Sequence, residues 1–207
     1  MMDFMPKLAS IVERLSSASE TALLLSGGID SYSVGVAAEM TGKKIVAYTY
    51  ELEGVASIDR PKAERLARLR GWTLRVVIVP TGDLSNDFLR LVAAHGCRKK
   101  VQAEVIFPMM YILAAIEEDV IFTGWNADDH YANTAADQRE LAIAKRKGSS
   151  DSELAALFDE IRKRQYEEFD APDSDHTFWI ASLIASAHNK QLLDPYSHVE
   201  IRHYFAL

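Results

Sequence analysis

A glycine-rich turn near the amino terminus carries residue types that suit the binding of a phosphate group. Its six residues are Ser26, Gly27, Gly28, Ile29, Asp30 and Ser31. The two glycines allow the backbone to turn tightly and to approach an anion closely, and the two serines supply hydroxyl groups. A helical pattern follows, so the amide groups of its first turn would point at the anion. We therefore predict a polyphosphate-binding loop at residues 26–31.

The carboxylate of Asp30 predicts that a metal ion also binds at this loop, because a carboxylate repels phosphate unless a cation lies between them. Mg²⁺ bridges carboxylate and phosphate oxygens in nucleotide sites. Capping of the following helix also suits Asp30 and Ser31, and the two roles can coexist. The turn is neither a Walker A loop, which ends in Gly-Lys-Ser/Thr, nor a Gly-x-Gly-x-x-Gly dinucleotide turn.

Short apolar runs alternate with helical patterns on both sides of this loop. We predict strands at residues 21–25, 45–50, 74–79 and 120–123, and helices at residues 7–17, 31–40, 59–70, 83–94 and 108–118. Alternation of this kind indicates an α/β fold with a doubly wound, mostly parallel sheet of four or five strands. Ligands of such sheets bind beyond the carboxyl ends of the strands, where the loop at residues 26–31 is expected to lie.

The last third of the sequence has a different character. Helical patterns occupy residues 138–147, 153–168 and 177–189. We interpret residues 1–207 as a single domain, with a nucleotide-binding core at about residues 20–135 and a helical extension at about residues 136–207.

The amino-acid composition limits the kinds of molecule that the protein is expected to bind. The 207 residues include 23 Lys and Arg against 30 Asp and Glu, a formal net charge of -7 that gives no general attraction for nucleic acid or an anionic membrane. The single cysteine, Cys97, excludes an internal disulfide framework and a multi-cysteine zinc site, and it fits a reducing cytoplasm. We see no signal peptide and no apolar run of membrane-spanning length, so we expect a cytoplasmic protein that acts on a small molecule.

The glycine-rich loop resembles the Ser-Gly-Gly-x-Asp-Ser signature of the PP-loop ATP pyrophosphatases. Within that superfamily, roughly residues 21–200 resemble the synthetase domain of asparagine synthetases and β-lactam synthetases. Three short stretches add to the likeness: a helix at residues 59–67, the run Pro108, Met109, Met110 and Tyr111, and the run Leu192, Leu193, Asp194 and Pro195. The resemblance implies an adenine-nucleotide α-hydrolase-like fold that uses ATP and Mg²⁺.

A fourth stretch, at residues 123–130, resembles the Ser-Gly-Glu-Gly-Ser-Asp-Glu loop of those synthetases. On this match Asp128 is a second magnesium ligand beside Asp30. The alternative is that Asp128 and its neighbours form a polar turn that caps the next helix. The resemblance also implies that residues near Leu25 and Thr49 contact adenosine through their backbone, and that Thr123 and Gly124 take part in nucleotide binding.

The sequence departs from the resemblance at two places. Trp125 stands where the synthetases have a glutamate, so their acid-base step is not carried over. The chain ends at Leu207, before the segment that supplies the synthetases with a catalytic lysine. Lys99 and Lys100 are candidates to replace that cation, and a solvated basic turn is the other interpretation of these two residues.

The activity implied by the resemblance is adenylation of a carboxylate or carbonyl oxygen, with release of pyrophosphate, followed by displacement of AMP by an amine. No glutaminase domain precedes the synthetase-like domain, so the amine is expected from free ammonia, an amine-bearing substrate or a partner subunit. Two other hypotheses remain open: a PP-loop enzyme that modifies a nucleobase or nucleoside, and a non-catalytic ATP-sensing or partner-binding module. A homodimer is a further expectation.

Overall fold

A computed structural model of the chain describes residues 4–130, 135–170 and 177–205. The strands are β1 (Glu20–Leu24), β2 (Lys44–Leu52), β3 (Thr73–Val79), β4 (Val120–Phe122) and β5 (Gln191–Leu193). The helices are α1 (Phe4–Leu15), α2 (Ile29–Met40), α3 (Arg60–Arg70), α4 (Leu84–Ala93), α5 (Lys100–Ala115), α6 (Ala135–Arg146), α7 (Asp151–Asp170), α8 (Thr177–Ala187) and α9 (Val199–Phe205). Two 3₁₀ segments lie at Trp125–His130 and Pro195–Ser197.

The five strands form one sheet in the order β3-β2-β1-β4-β5, and every pairing is parallel. The predicted α/β fold is therefore confirmed. Strand β1 is buried from Thr21 to Leu24, as expected for a central strand covered by helices on both faces. The chain moves from β1 outward to β3 and then returns to β4 on the other side of β1, which makes the β1–β4 boundary the point where the winding reverses.

The fifth strand was not predicted from the sequence. Residues 191–193 pair with β4 through the register Ile121↔Leu192 and Phe122↔Leu193. Three residues are too few to show the alternation of apolar and polar side chains that identifies a strand. The neighbouring helix α8 was predicted, and its bounds agree with the pattern at residues 177–189 to within two residues.

The helix before β4 begins at Lys100, so its predicted start at Pro108 is wrong. Pro108 is buried inside α5. The true start is fixed by Gln102, whose side-chain oxygen accepts hydrogen bonds from the backbone amides of Arg98 and Lys99, at 2.8 and 2.9 Å. These two bonds satisfy amides that a helix start leaves without intrahelical acceptors.

The chain divides into two compact units. Unit 1 comprises Met1–Gly124 and Thr177–Pro195 and contains the whole sheet, while unit 2 comprises Trp125–His176 and Tyr196–Leu207. Residues 177–195, which the sequence pattern assigned to the helical extension, thus belong to the compact unit that holds the glycine-rich loop. No helix in the described ranges combines the length and the apolar composition needed to cross a membrane.

A buried lysine fixes the turn between α1 and β1. The ammonium group of Lys43 donates to the carbonyl oxygens of Ser16 and Ala18, at 2.7 and 3.0 Å, and lies 3.4 Å from the carboxylate of Glu13. The Lys43 side chain is 4% exposed, so these contacts replace its hydration. They hold the end of α1 in the position from which β1 enters the sheet.

We expect the substitution Lys43→Met to reduce the free energy of unfolding by about 1 to 3 kcal/mol, because part-buried carbonyl groups lose a charged donor. Urea unfolding followed by circular dichroism measures this change. The matched control is Lys44→Met, since the Lys44 side chain is 68% exposed and its ion pair with Glu20 is a surface pair that contributes less than about 1 kcal/mol. Equal stability of the two variants would contradict a structural role for Lys43.

Candidate nucleotide-binding site

The glycine-rich loop lies where the winding of the sheet reverses. It follows β1, and residues 123–124 follow the neighbouring strand β4, which pairs with β1 through Ala22↔Ile121 and Leu23↔Phe122. Loops that leave two such strands turn toward opposite faces of the sheet and leave a crevice at the carboxyl ends. The glycine-rich turn thus follows the carboxyl end of β1, where the sequence predicts it, and its binding of a nucleotide stays a prediction.

Hydrogen bonds within the loop tie it to the first turn of α2. The hydroxyl groups of Ser26 and Ser31 lie 3.1 Å apart, and the amide of Ser26 donates to the Ser31 hydroxyl oxygen at 3.3 Å. The amide of Gly28 donates to the Ser26 hydroxyl oxygen, also at 3.3 Å. Ser31 is buried and Ser26 is exposed, so one hydroxyl supports the loop and the other is available at its surface.

Helix α2 starts without a side-chain cap. Its N-cap residue is Gly28, in an extended conformation, and glycine has no side chain that could accept a hydrogen bond from the first turn. The interpretation of Asp30 and Ser31 as caps is therefore wrong, because both residues lie inside the first helical turn. The half-buried Asp30 places a carboxylate beside amide groups that favour negative charge, where it also stabilises the helix dipole.

Gly27 is required by a close approach of α3. Its φ of 81° is in the left-handed region, and an added Cβ would lie 2.5 Å from the Cβ of Lys62 and 3.2 Å from the carbonyl oxygen of Asp59. Any larger residue would be strained and would also push α3 away. The first turn of α3 is thus packed directly against the loop.

Gly124 provides the corresponding contact from the other strand. A Cβ at this position would lie 2.5 Å from the carbonyl carbon of Asp30 and 2.6 Å from the amide nitrogen of Ser31. These are backbone atoms, so a change of rotamer cannot relieve the collision. The structure therefore brings the predicted residues Gly124, Asp30 and Ser31 into contact.

Gly28 differs from these two glycines, because no neighbour among the described residues crowds the position of a Cβ there. Its φ is -83°, which any residue adopts, and an added Cβ would meet the Ser26 hydroxyl oxygen at an ordinary distance of 3.4 Å. The absent side chain leaves space over the exposed face of the loop, beside the amides of the first turn of α2. A phosphate group fits the chemistry of that space.

The other predicted nucleotide contacts in unit 1 lie in β2 or directly after β1 and β4. The amide of Leu25 donates to the carbonyl of Tyr48 at 2.8 Å, which continues the pairing of β1 with β2. Thr49 is buried within β2, and the amide of Thr123 donates to the carbonyl of Leu193 at 3.0 Å. Contact of Leu25, Thr49 or Thr123 with adenosine stays a prediction.

Lys99 and Lys100 occupy the start of α5. Because α5 leads into the amino end of β4, its first turn lies toward the carboxyl ends of the strands. The ammonium of Lys100 lies 3.3 Å from the carboxylate of Glu104, one turn along the same helix, and its side chain is 87% exposed. An exposed pair of this kind is weak. The phosphate role of these two lysines stays a prediction.

Sequence reasoning did not identify an ion pair beside the loop. The ammonium of Lys62 lies 3.0 Å from the carboxylate of Asp59, and both residues border Gly27. At the nearby end of β2, burial and then the Asp59 carboxylate raise the pKa of Tyr50. Lys62 lies in the helix at residues 59–67 that resembles the synthetases, but its contact with Gly27 depends on tertiary packing and does not follow from the sequence.

Asp128 belongs to unit 2, where it is exposed within the 3₁₀ segment Trp125–His130. Its service as a second metal ligand beside Asp30 stays a prediction. Among the residues that the structure describes, His, Cys, Asp and Glu side chains form no group of three that could hold a metal ion.

A buried histidine organises unit 2. His130 is 2% exposed, its Nε2 lies 2.8 Å from the carbonyl oxygen of Tyr196, and its Nδ1 lies 2.5 Å from the hydroxyl of Tyr166. Since a carbonyl can only accept, Nε2 carries the proton and Nδ1 accepts from Tyr166. The ring also stacks on Phe205 at 5.1 Å. His130 is therefore a packed core residue, and the interpretation of its segment as a simple polar turn is wrong for this side chain.

The surroundings of His130 disfavour its charged form. Burial lowers the pKa of His130 most, the Tyr196 carbonyl opposes this shift, and the positive charges of Arg202 and Arg162 lower the pKa further. Arg162 is itself held by Asp159, at 2.7 Å, and by the backbone carbonyl of Phe205. The neutral imidazole is thus the form that the folded unit retains.

We expect stability to fall as the pH is lowered. The unfolded chain binds a proton at His130 near its ordinary pKa of about 6.5, whereas the folded chain does so at a lower pH. The histidine's contribution is complete above that unfolded value and is lost as the pH falls toward the folded value, by at most about 1.4 kcal/mol per pH unit. Urea midpoints at pH 7.5 and 5.5 should therefore differ more for the wild type than for His130→Gln. An identical pH dependence of the two proteins would contradict this assignment.

Comparison with known proteins gives the family. The family model described as asparagine synthase matches residues 7–204. A search of the curated proteins finds no match.

Three solved structures are similar at low identity. They are a predicted subunit of tRNA methyltransferase from Methanocaldococcus jannaschii (13% identity, TM-score 0.48, covering 91% of this chain and 74% of that one), NMN synthetase from Francisella tularensis (17%, 0.45, 99% and 94%) and the U34-tRNA thiolase NcsA from Methanococcus maripaludis (12%, 0.44, 98% and 77%). These likenesses are too remote to indicate a substrate. The family model, in contrast, matches residues 7–204, which is nearly the whole chain, and the chain therefore belongs to the asparagine synthase family of PP-loop ATP pyrophosphatase domains.

Proposed function

We propose that this protein is an ATP-dependent ligase that adenylates an acceptor oxygen, releases pyrophosphate and joins an amine to the activated acceptor. One observation carries the proposal: a chain of the asparagine synthase family keeps the complete Ser-Gly-Gly-x-Asp-Ser loop at the reversal point of the sheet, with open space over Gly28. Trp125 stands where the related synthetases have a glutamate, so the acid-base step of that glutamate is not assigned to this protein.

The loop residues have separate roles in this proposal. The amides of the first turn of α2 and the exposed hydroxyl of Ser26 bind phosphate oxygens, and the buried Ser31 keeps the loop closed through Ser26. Asp30 would hold Mg²⁺, and Asp128 stays a second candidate ligand. Such an ion would supply neutralisation of the negative charge on the departing pyrophosphate.

The proposed reaction has two steps. A carboxylate or carbonyl oxygen of the acceptor attacks the α-phosphorus of ATP, the bond between the α-phosphorus and the bridging oxygen breaks, and pyrophosphate leaves. An amine then attacks the activated carbon, the carbon–oxygen bond to AMP breaks, and the amine loses a proton. The amine comes from ammonia, an amine-bearing substrate or a separate ammonia-supplying subunit.

The first test is pyrophosphate release from MgATP in the presence of pooled carboxylates or pooled nucleobases, each with ammonia. We expect Asp30→Asn to reduce acceptor-dependent release at least about 100-fold, because loss of a group that stabilises transition-state charge commonly costs that much. The matched control is Asp119→Asn, which removes a 94% exposed carboxylate just before the amino end of β4. Its activity should equal that of the wild type.

The outcomes of this test separate the hypotheses. Release that depends on the carboxylate pool supports the proposed ligase with a carboxylate acceptor, and release that depends on the nucleobase pool favours the alternative, an enzyme that modifies a nucleobase or nucleoside. Binding of ATP without release in any pool favours a sensing module. Equal activity of Asp30→Asn and the wild type would remove Asp30 from the mechanism.

A second test separates the effect of Gly28 on the stability of the fold from its effect on ATP binding. We expect Gly28→Ala to retain the fold with a loss of about 1 kcal/mol at the N-cap, and to weaken ATP binding at least about tenfold, because the methyl group enters the proposed phosphate space. Isothermal titration calorimetry and urea unfolding measure the two effects. The control is Gly82→Ala, since a Cβ at Gly82 meets nothing within 4 Å. Unchanged ATP affinity in Gly28→Ala would contradict the proposed phosphate position.

A further inference from the structure

The flank of the phosphate-binding loop is formed by the first turn of α3. Three atoms of that turn surround the position that a Cβ of Gly27 would occupy: the Cβ of Lys62 at 2.5 Å, the amide nitrogen of Ala63 at 3.1 Å and the carbonyl oxygen of Asp59 at 3.2 Å. The side chain of Lys62 therefore begins in contact with the loop backbone. Its four-carbon stem gives the ammonium group a wide range of positions beside the loop.

The ammonium of Lys62 is held in a way that leaves it accessible. It lies 3.0 Å from the Asp59 carboxylate, and the two side chains are 55% and 52% exposed. A pair this exposed is weak, so a ligand of higher charge can compete for the ammonium. An ammonium also has three donors, and one contact with Asp59 leaves two for an incoming anion.

The neighbouring cation on the same turn, Arg60, is held by two carboxylates. The guanidinium of Arg60 donates to the carboxylates of Glu64, at 2.8 Å, and Glu51, at 3.3 Å. Arg60 thus links α3 to the end of β2. Of these two cations, Lys62 is the one that contacts the loop at Gly27. A single exposed carboxylate, that of Asp59, holds its ammonium.

We propose that Lys62 is a phosphate-binding residue: its stem begins against the loop at Gly27, and its ammonium, which Asp59 contacts, donates to the pyrophosphate end of ATP. This inference rests on the proposed function, since it assumes that the triphosphate lies over residues 26–31. It places a cation for the polyphosphate on the helix after β2, whereas the sequence predicts that Lys99 and Lys100 supply this cation.

The test compares the binding of three ligands, MgATP, magnesium pyrophosphate and AMP, to the full chain by isothermal titration calorimetry. We expect Lys62→Met to weaken binding of MgATP and pyrophosphate by about 10- to 100-fold, as for loss of a charged hydrogen bond, and to leave AMP binding unchanged. Lys62→Arg should recover at least part of the loss because it keeps the positive charge. The control is Lys44→Met, which removes an exposed lysine from the amino end of β2.

The result separates this inference from the function on which it rests. Failure of the wild type to bind MgATP would contradict both. Binding by the wild type with equal affinity in Lys62→Met, or an equal loss in Lys44→Met, would overturn the role of Lys62 and leave the proposed function standing. A loss of AMP binding that matches the loss of ATP binding would also overturn it, because the defect would then not lie at the pyrophosphate end.

Discussion

Close packing of three backbone segments around two glycines is the constraint on which the site depends. Gly27 has no Cβ, so the first turn of α3 can lie against the loop, and Gly124 has no Cβ, so the end of β4 can lie against the first turn of α2. The loop is therefore held from both flanks before any ligand arrives. Such preorganisation lowers the cost of fixing a polyphosphate in one position.

The topology of the sheet explains why these segments meet. Parallel strands β1 and β4 are adjacent although they are distant in sequence, and their carboxyl ends face the same edge. The return of the chain from β3 to β4 leaves a crevice at that edge. The buried strand β1, supported at its start by Lys43 and the end of α1, places the loop at the crevice. Local sequence and global topology thus agree on one location for an anion.

Much of this arrangement could be predicted from the sequence, because its signals are local. The buried apolar run of β1 and the glycine-rich turn after it are contiguous, and they identified the fold class and the loop. Features that depend on tertiary packing could not be predicted from the sequence. Pro108 was interpreted as a helix start, whereas Gln102 fixes the start eight residues earlier. The contact of Lys62 with Gly27 and the burial of His130 likewise follow from neighbours that are remote in the chain.

The identity of the nucleotide product tests the central claim most directly. Phosphorus NMR of a reaction with MgATP and an acceptor distinguishes attack on the α-phosphate from attack on the γ-phosphate. Our account predicts AMP and pyrophosphate in equal amounts, with ADP absent. Formation of ADP and orthophosphate would contradict it, because the attack would then occur at the γ-phosphate and not at the α-phosphate.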